Sequence, residues 1–204
     1  MMAGKLIALE GIDGSGKSTQ ARLLAQSVGA DLTFEPGATE LGRVVRQSLL
    51  HSSSKDLAVS IEAEALLMIA DRAQDIAENI APALSSGKNV VADRFSGSTI
   101  AYQGYGRGID IGKLQDAIRL AVGDLEPTLN ILLDIPVDQA MERMAGAGKQ
   151  ADRMEKSGID FLDRVRRGYL SMASANPGSW YVLDCDRPVD EIAELILSRV
   201  KDLL

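Results

Sequence analysis

Residues 9–19 read LEGIDGSGKST, and this stretch decides the fold. Gly11 to Ser18 matches the spacing G-x-x-x-x-G-K-[ST]. Glycines let backbone N–H groups turn inward around phosphate oxygens. A helix starting near Lys17 points the positive end of its dipole at the same place. Lys17 adds a point charge, and the Ser18 hydroxyl suits Mg²⁺. Gly11, Gly14, Ser15, Gly16, Lys17, Ser18 and Thr19 are therefore the candidate contacts for the phosphates of a nucleoside triphosphate. Asp13 is the odd member, an acidic side chain inside a loop suited to an anion.

Outward from the loop, short apolar runs alternate with helical patterns. LIAL (residues 6–9) reads as a buried parallel strand ending at the loop. Residues 18–28 carry Leu23, Leu24 and Val28 at helical spacing. ADLTFEPG (30–37) reads as a second strand closed by Pro36-Gly37. Ile61, Ala65, Met68, Ile69, Ala73, Ile76 and Ile80 predict one long helix. GKNVVADR (87–94), LNILLDI (129–135) and WYVLDC (180–185) supply three more strands. Apolar stripes over 159–173 and 189–200 predict two more helices. Strands alternating with helices predict an α/β fold with a five-stranded parallel sheet covered on both faces. Ligands then sit at the carboxyl ends of the strands, which carry Gly11 to Ser18, Glu35-Pro36, Asp93-Arg94 and Asp134. HSSSKD (51–56) reads as an exposed connection. No linker divides the chain, so 1–204 is expected to be a single domain. Its small-residue segment AGAGKQAD (145–152) opens a candidate lid at about 145–156.

Composition narrows the function. The 204 residues carry a net charge of −7, which disfavours a broad nucleic-acid-binding face. No apolar run approaches the ~20 residues of a membrane span. The start of the chain lacks the apolar stretch of a signal peptide. One cysteine, Cys185, allows no intrachain disulfide. A cytoplasmic protein is expected. A phosphate loop alone leaves the acceptor open, because motors, switches and small-molecule kinases share it. The cations lean toward a kinase. Arg46, Arg72 and Arg94 fall where they can line a cleft, and Arg143, Lys149 and Arg153 flank the candidate lid. A deoxynucleoside kinase would need a base for its neutral hydroxyl, for which Glu35 is available. A switch would couple turnover to a partner protein.

The stretches EGIDGSGKST, EPG, DRF (93–95), STIAYQGYGRGID (98–110) and DRME (152–155) together resemble the thymidylate kinase family, in family order over nearly the whole chain. AYQG is the most family-specific of them. The resemblance implies the P-loop nucleoside-monophosphate-kinase fold, transfer of the γ-phosphate of ATP to dTMP, Mg²⁺ with the ATP, and a homodimer. Other nucleoside monophosphate kinases remain the alternative. Residue by residue, the resemblance places Asp13 by the 3′-hydroxyl of the acceptor sugar. It assigns Arg72 and Arg94, with Arg46, to the acceptor phosphate, and Thr99 and Gln103 to the thymine. Tyr102 is placed against the sugar 2′ position. Glu35, Pro36 and Met68 complete the acceptor site, Arg143 joins the ATP site, and Asp93 assists Ser18 at the metal.

Three departures stand out. Met68 occupies a position where many family members stack phenylalanine on the base. A thioether–ring contact is worth roughly 0.3–1.5 kcal/mol against ~1–3 for aromatic stacking. Phe34 stands where many bacterial members have arginine. Gly14 stands where some members carry a phosphate-loop arginine. The sequence therefore resembles the bacterial subgroup whose catalytic cation comes from the lid, here Arg153, with Lys149 beside it.

Overall fold

The computed structural model describes residues 4–50, 59–146 and 158–204. Its sheet is wholly parallel, in the order β2-β3-β1-β4-β5. The strands are β1 (Leu6–Glu10), β2 (Asp31–Phe34), β3 (Val90–Asp93), β4 (Leu129–Asp134) and β5 (Trp180–Asp184). β1 is buried along its whole length, because it is the central strand and both faces are covered. Leu6 and Ala8 pack with Val90 and Ala92 on one face. Ile7 and Leu9 pack on the other with Val91, Ile131 and Leu133. Register aligns Leu9 and Phe34 with Asp93, so the strands end together at one edge. The chain leaves β1 toward β3 and β2 on one side and reaches β4 and β5 on the other. The crevice at the end of β1 is therefore the topological switch point.

The helices follow from local signals. α1 (Lys17–Val28) starts at the phosphate loop and is stopped by Gly29 at φ 64°. α2 is Glu40–Leu50. The Ser60 hydroxyl caps α3 (Ile61–Asp75) by accepting from the Ala63 amide at 3.2 Å. The single long helix expected over 61–80 is broken. A π-helical stretch, Ile76–Ile80, separates α3 from α4 (Ala81–Ser85). Pro82 explains the break, since it has no N–H to bond back to Glu78. α5 (Ser96–Thr99) runs into a second π-helical stretch, Ile100–Gly106. The aspartate cap of α6 (Ile111–Val122) is Asp110, which accepts from Lys113 N at 3.0 Å. α7 is Val137–Gly146, α8 Ile159–Ala175 and α9 Val189–Lys201. α8 packs along the second π-helical stretch, and α1 packs against α9. The second expected strand is shorter than its pattern suggests. It ends at Phe34, and the Glu35-Pro36 peptide bond is cis.

Candidate active site

The phosphate loop lies between β1 and α1 at the switch point. Its Gly14, Gly16, Lys17 and Ser18 amides take no hydrogen-bond partner among the described residues. They are therefore available to an anion at the start of α1. Gly14 has φ +84°, and a Cβ there would lie 2.4 Å from the Ala140 carbonyl oxygen of α7. Any side chain at Gly14 is excluded by backbone, so a loop arginine would require α7 to move.

Asp13 joins two groups of residues. Its Oδ1 accepts from Lys17 Nζ at 3.0 Å and from Arg94 Nη2 at 2.6 Å, and its Oδ2 accepts from the Tyr102 hydroxyl at 2.9 Å. Burial alone would raise the Asp13 carboxyl. The Arg94 guanidinium and the Lys17 ammonium outweigh burial and hold it well below the usual carboxylate range. Arg94 follows β3 and, among the described residues, is the one non-glycine at positive φ, 79°. Such a backbone persists only when its surroundings over-determine it. Here the Arg94 amide donates to Leu9 O at 2.9 Å, and Nη1 donates to Gly11 O and Ser98 Oγ, each at 3.2 Å. The guanidinium also lies 4.9 Å from the centroid of the Tyr102 ring. Behind it, the fully buried Glu10 accepts from the Phe95 and Ser98 amides and from the Ser98 hydroxyl. This ties the end of β1 to the start of α5.

A cleft opens beside Asp13. Ten expected acceptor residues line it together: Asp13, Glu35, Pro36, Arg46, Met68, Arg72, Arg94, Thr99, Tyr102 and Gln103. Arg72 is 2% exposed. Its Nε and Nη2 donate to Glu35 Oε2 at 2.9 and 2.6 Å. Nη2 also donates to Phe95 O, and Nη1 to Thr99 Oγ1, both at 2.9 Å. One of its five N–H groups remains for the cleft. Arg46 donates to Pro36 O at 2.9 Å. Glu35 and Asp71 each keep one buried carboxyl oxygen without a partner. Burial pushes Glu35 up to about 8 against the pull of Arg72. It pushes Asp71 up to about 6, against the Gly37 N–H and with Asp75 adding to the rise.

A second cleft joins the first to the phosphate loop. Lys17, Ser18, Arg22, Phe34 and Asp93 line it with Asp13, Glu35, Arg46 and Arg94. Ser18 is exposed there, and Asp93 Oδ1 is buried without a partner. These two oxygens are of the type a hard divalent cation takes. Arg143 stands apart from both clefts, its Nη2 donating to the Cys185 carbonyl at 2.8 Å and so linking α7 to the turn after β5. Asp134 is held by Arg166 in a two-point ion pair at 2.7 and 2.8 Å. Lys149 and Arg153, with almost all of the expected lid, lie outside the described residues, as does HSSSKD. The sequence pattern had not singled out Glu10, Ser98, Asp71 or Glu64. For Glu64 a signal existed: Glu64, Met68 and Arg72 follow one another at i, i+4 along one face of α3.

Comparison with known proteins places the chain in a family. The sequence profile described as thymidylate kinase matches residues 9–196. The thymidylate kinase of Desulforudis audaxviator is 43% identical to the chain, over 100% of the chain and 93% of the relative. That of Pelotomaculum thermopropionicum is 42% identical, over 100% and 95%. The crystal structure of thymidylate kinase from Ehrlichia chaffeensis superposes with a TM-score of 0.78 at 32% identity, covering 98% of this chain and 99% of that one.

Proposed function

The chain belongs to the thymidylate kinase family and transfers the γ-phosphate of ATP to dTMP, giving dTDP; from that premise we propose how its own residues carry the transfer. The observation that supports the assignment most directly is Asp13. One carboxylate touches Lys17 of the donor loop and Arg94 and Tyr102 of the acceptor cleft, so the two substrates meet across it.

A phosphomonoester with its second pKa near 6 is largely dianionic at neutral pH. Its attacking oxygen needs no general base, so catalysis reduces to positioning and charge neutralisation. The free amides of Gly14, Gly16, Lys17 and Ser18 cradle the donor phosphates, with Gly11, Ser15 and Thr19 shaping the loop. Arg94, Arg46 and the remaining N–H of Arg72 hold the acceptor phosphate. Asp13 takes the sugar 3′-hydroxyl, and Tyr102, held by Asp13, crowds the 2′ position. Thr99 and Gln103 meet the base edge, and Met68 lies against the ring. Ser18 and Asp93 fit Mg²⁺ by their donor type, and would hold it where it neutralises charge on the β- and γ-phosphates. Arg143 is assigned to the ATP site by the family resemblance alone. The transition-state cation is assigned to Arg153, with Lys149 beside it. Both are outside the described residues, and the family resemblance is what supports their role.

We also place the protein in the cytoplasm as a homodimer. The unpaired, buried Cys185 suits a reducing compartment. Among the described residues no helix is long and apolar enough to cross a membrane. The dimer is supported by three exposed apolar side chains on helices that pack side by side: Val44 on α2, Leu66 on α3 and Leu120 on α6.

The test combines a substrate panel with Arg94→Ala. Wild type should phosphorylate dTMP in preference to AMP, CMP and GMP, and thymidine hardly at all. Arg94→Ala should lower kcat/KM for dTMP by ~10²-fold or more, with ATP affinity changed far less. Equal weakening of both substrates would remove Arg94 from the acceptor side.

A further inference from the structure

Gln103 sits on the second π-helical stretch and is 2% exposed, with its side chain on the wall of the acceptor cleft. Its Nε2 donates to Glu64 Oε1 at 3.2 Å. Glu64 is 1% exposed and also accepts from Arg107, Nε to Oε1 at 3.1 Å and Nη2 to Oε2 at 3.2 Å. An ion-paired carboxylate offers only acceptors, so it dictates which end of the neighbouring amide faces it. The NH₂ of Gln103 must point to Glu64. Its Oε1 takes no partner among the described residues and is not a buried orphan, so it opens on the cleft. Four residues earlier, Thr99 Oγ1 accepts from Arg72 Nη1 at 2.9 Å, and the Thr99 O–H proton is left to donate. The wall of the cleft therefore offers one donor followed by one acceptor.

That order distinguishes bases. Thymine and uracil present an acceptor at O4 and a donor at N3–H, which complement Thr99 O–H and Gln103 Oε1. Cytosine presents a donor at N4 and an acceptor at N3, the inverse pattern. We propose that Glu64 is a positioning residue for base specificity: by locking the Gln103 amide with its oxygen toward the base, it makes the site prefer a 4-oxo over a 4-amino pyrimidine. Glu64 does not touch the substrate. The inference rests on the reading that Gln103 faces the acceptor base.

Glu64→Gln tests it. A glutamine at 64 can keep its oxygen on Arg107 and turn its NH₂ to Gln103, which frees Gln103 to flip and present NH₂ to the cleft. The ratio of kcat/KM for dTMP to that for dCMP should fall by ~10²-fold or more, since a site made to hydrogen-bond one pattern rejects its inverse. KM for ATP should stay as it was. The double variant Glu64→Gln with Gln103→Glu restores a carboxyl oxygen to the cleft and should recover the dTMP preference, which a purely structural defect would not do. A folded Glu64→Gln protein with the wild-type ratio overturns the proposal, and so does a double variant that recovers nothing. Gln103→Ala separates this proposal from the reading beneath it. If that variant keeps the ratio, Gln103 does not read the base. If it loses the ratio while Glu64→Gln keeps it, only the role of Glu64 fails. Should Glu64→Gln not fold, the ¹⁵N-labelled Gln103 side-chain amide of the wild type decides. Its NH₂ resonances should stay in place when dTMP binds, and a large shift would show the NH₂ turned toward the base.

Discussion

Asp71 and Glu35 put two carboxyl groups into the cleft proposed to receive a dianion. Both are buried, both keep an unpartnered oxygen, and burial raises both, to about 6 and about 8. A raised acid pKa means that the folded state holds the proton more tightly than the unfolded chain does. The resulting stabilisation is complete below the unfolded values near 4 and is lost as pH climbs through the folded ones. Asp13 runs the other way: its depressed pKa gives stability that is lost only in strong acid, so it is flat across this window. The Tm of the free protein should therefore fall between about pH 4 and 8. Asp71→Asn should flatten the first part of that fall, up to about pH 7, by roughly 3 kcal/mol at most. Calorimetry of the two proteins across the range checks it, and parallel curves would mean that Asp71 does not titrate there. The burial that raises these groups, and the Arg72 contact that opposes it, were invisible in the sequence. Asp71 stands directly before Arg72, but Glu35 comes from a different element, and Arg72 contacts it only across the folded cleft.

Among the elements, the phosphate loop and α7 constrain each other. Gly14 and Gly16 both have positive φ, at +84° and +89°, yet only Gly14 faces a neighbour, the Ala140 carbonyl 2.4 Å from where its Cβ would be. A Cβ at Gly16 would meet nothing within 4 Å. Gly16→Ala should cost the left-handed backbone penalty alone, ~1–2 kcal/mol. Gly14→Ala adds overpacking against backbone and should cost about 3 kcal/mol or more. Denaturant unfolding of the two variants checks the order, and equal losses would mean that α7 yields freely. The glycine pattern of the loop was legible because phosphate binding demands it locally. The first π-helical stretch did have a local signal in Pro82, which the apolar stripe running to Ile80 masked, whereas the second depends on packing along α8 and left none.

Over the whole molecule, the sheet order brings three sets of residues from distant parts of the chain to one edge, and a separate group of exposed apolar side chains lies on α2, α3 and α6. Val44, Leu66 and Leu120 are 60, 58 and 90% exposed on adjacent helices, an arrangement that suits burial by a second copy. Wild type should sediment as the proposed dimer, and Leu66→Glu with Leu120→Glu as a species of about half that mass. A wild type with the mass of one chain overturns the dimer, and a variant that keeps the dimer mass places the interface on another face. The sequence by itself determined the parallel α/β sheet and the phosphate loop, and its family resemblance named ten residues that the fold brings together in one cleft. Those features follow from local rules: strand periodicity, the glycine spacing that phosphates require, and short motifs that carry a family's chemistry. Only the tertiary structure decided that Asp13 links Lys17 of the phosphate loop to Arg94 and Tyr102 of the cleft, that four of the five N–H groups of Arg72 are already engaged, and that Glu64 accepts from the amide of Gln103. Those are contacts between side chains far apart in the chain, formed at distances of a few ångströms that packing sets and no sequence interval encodes.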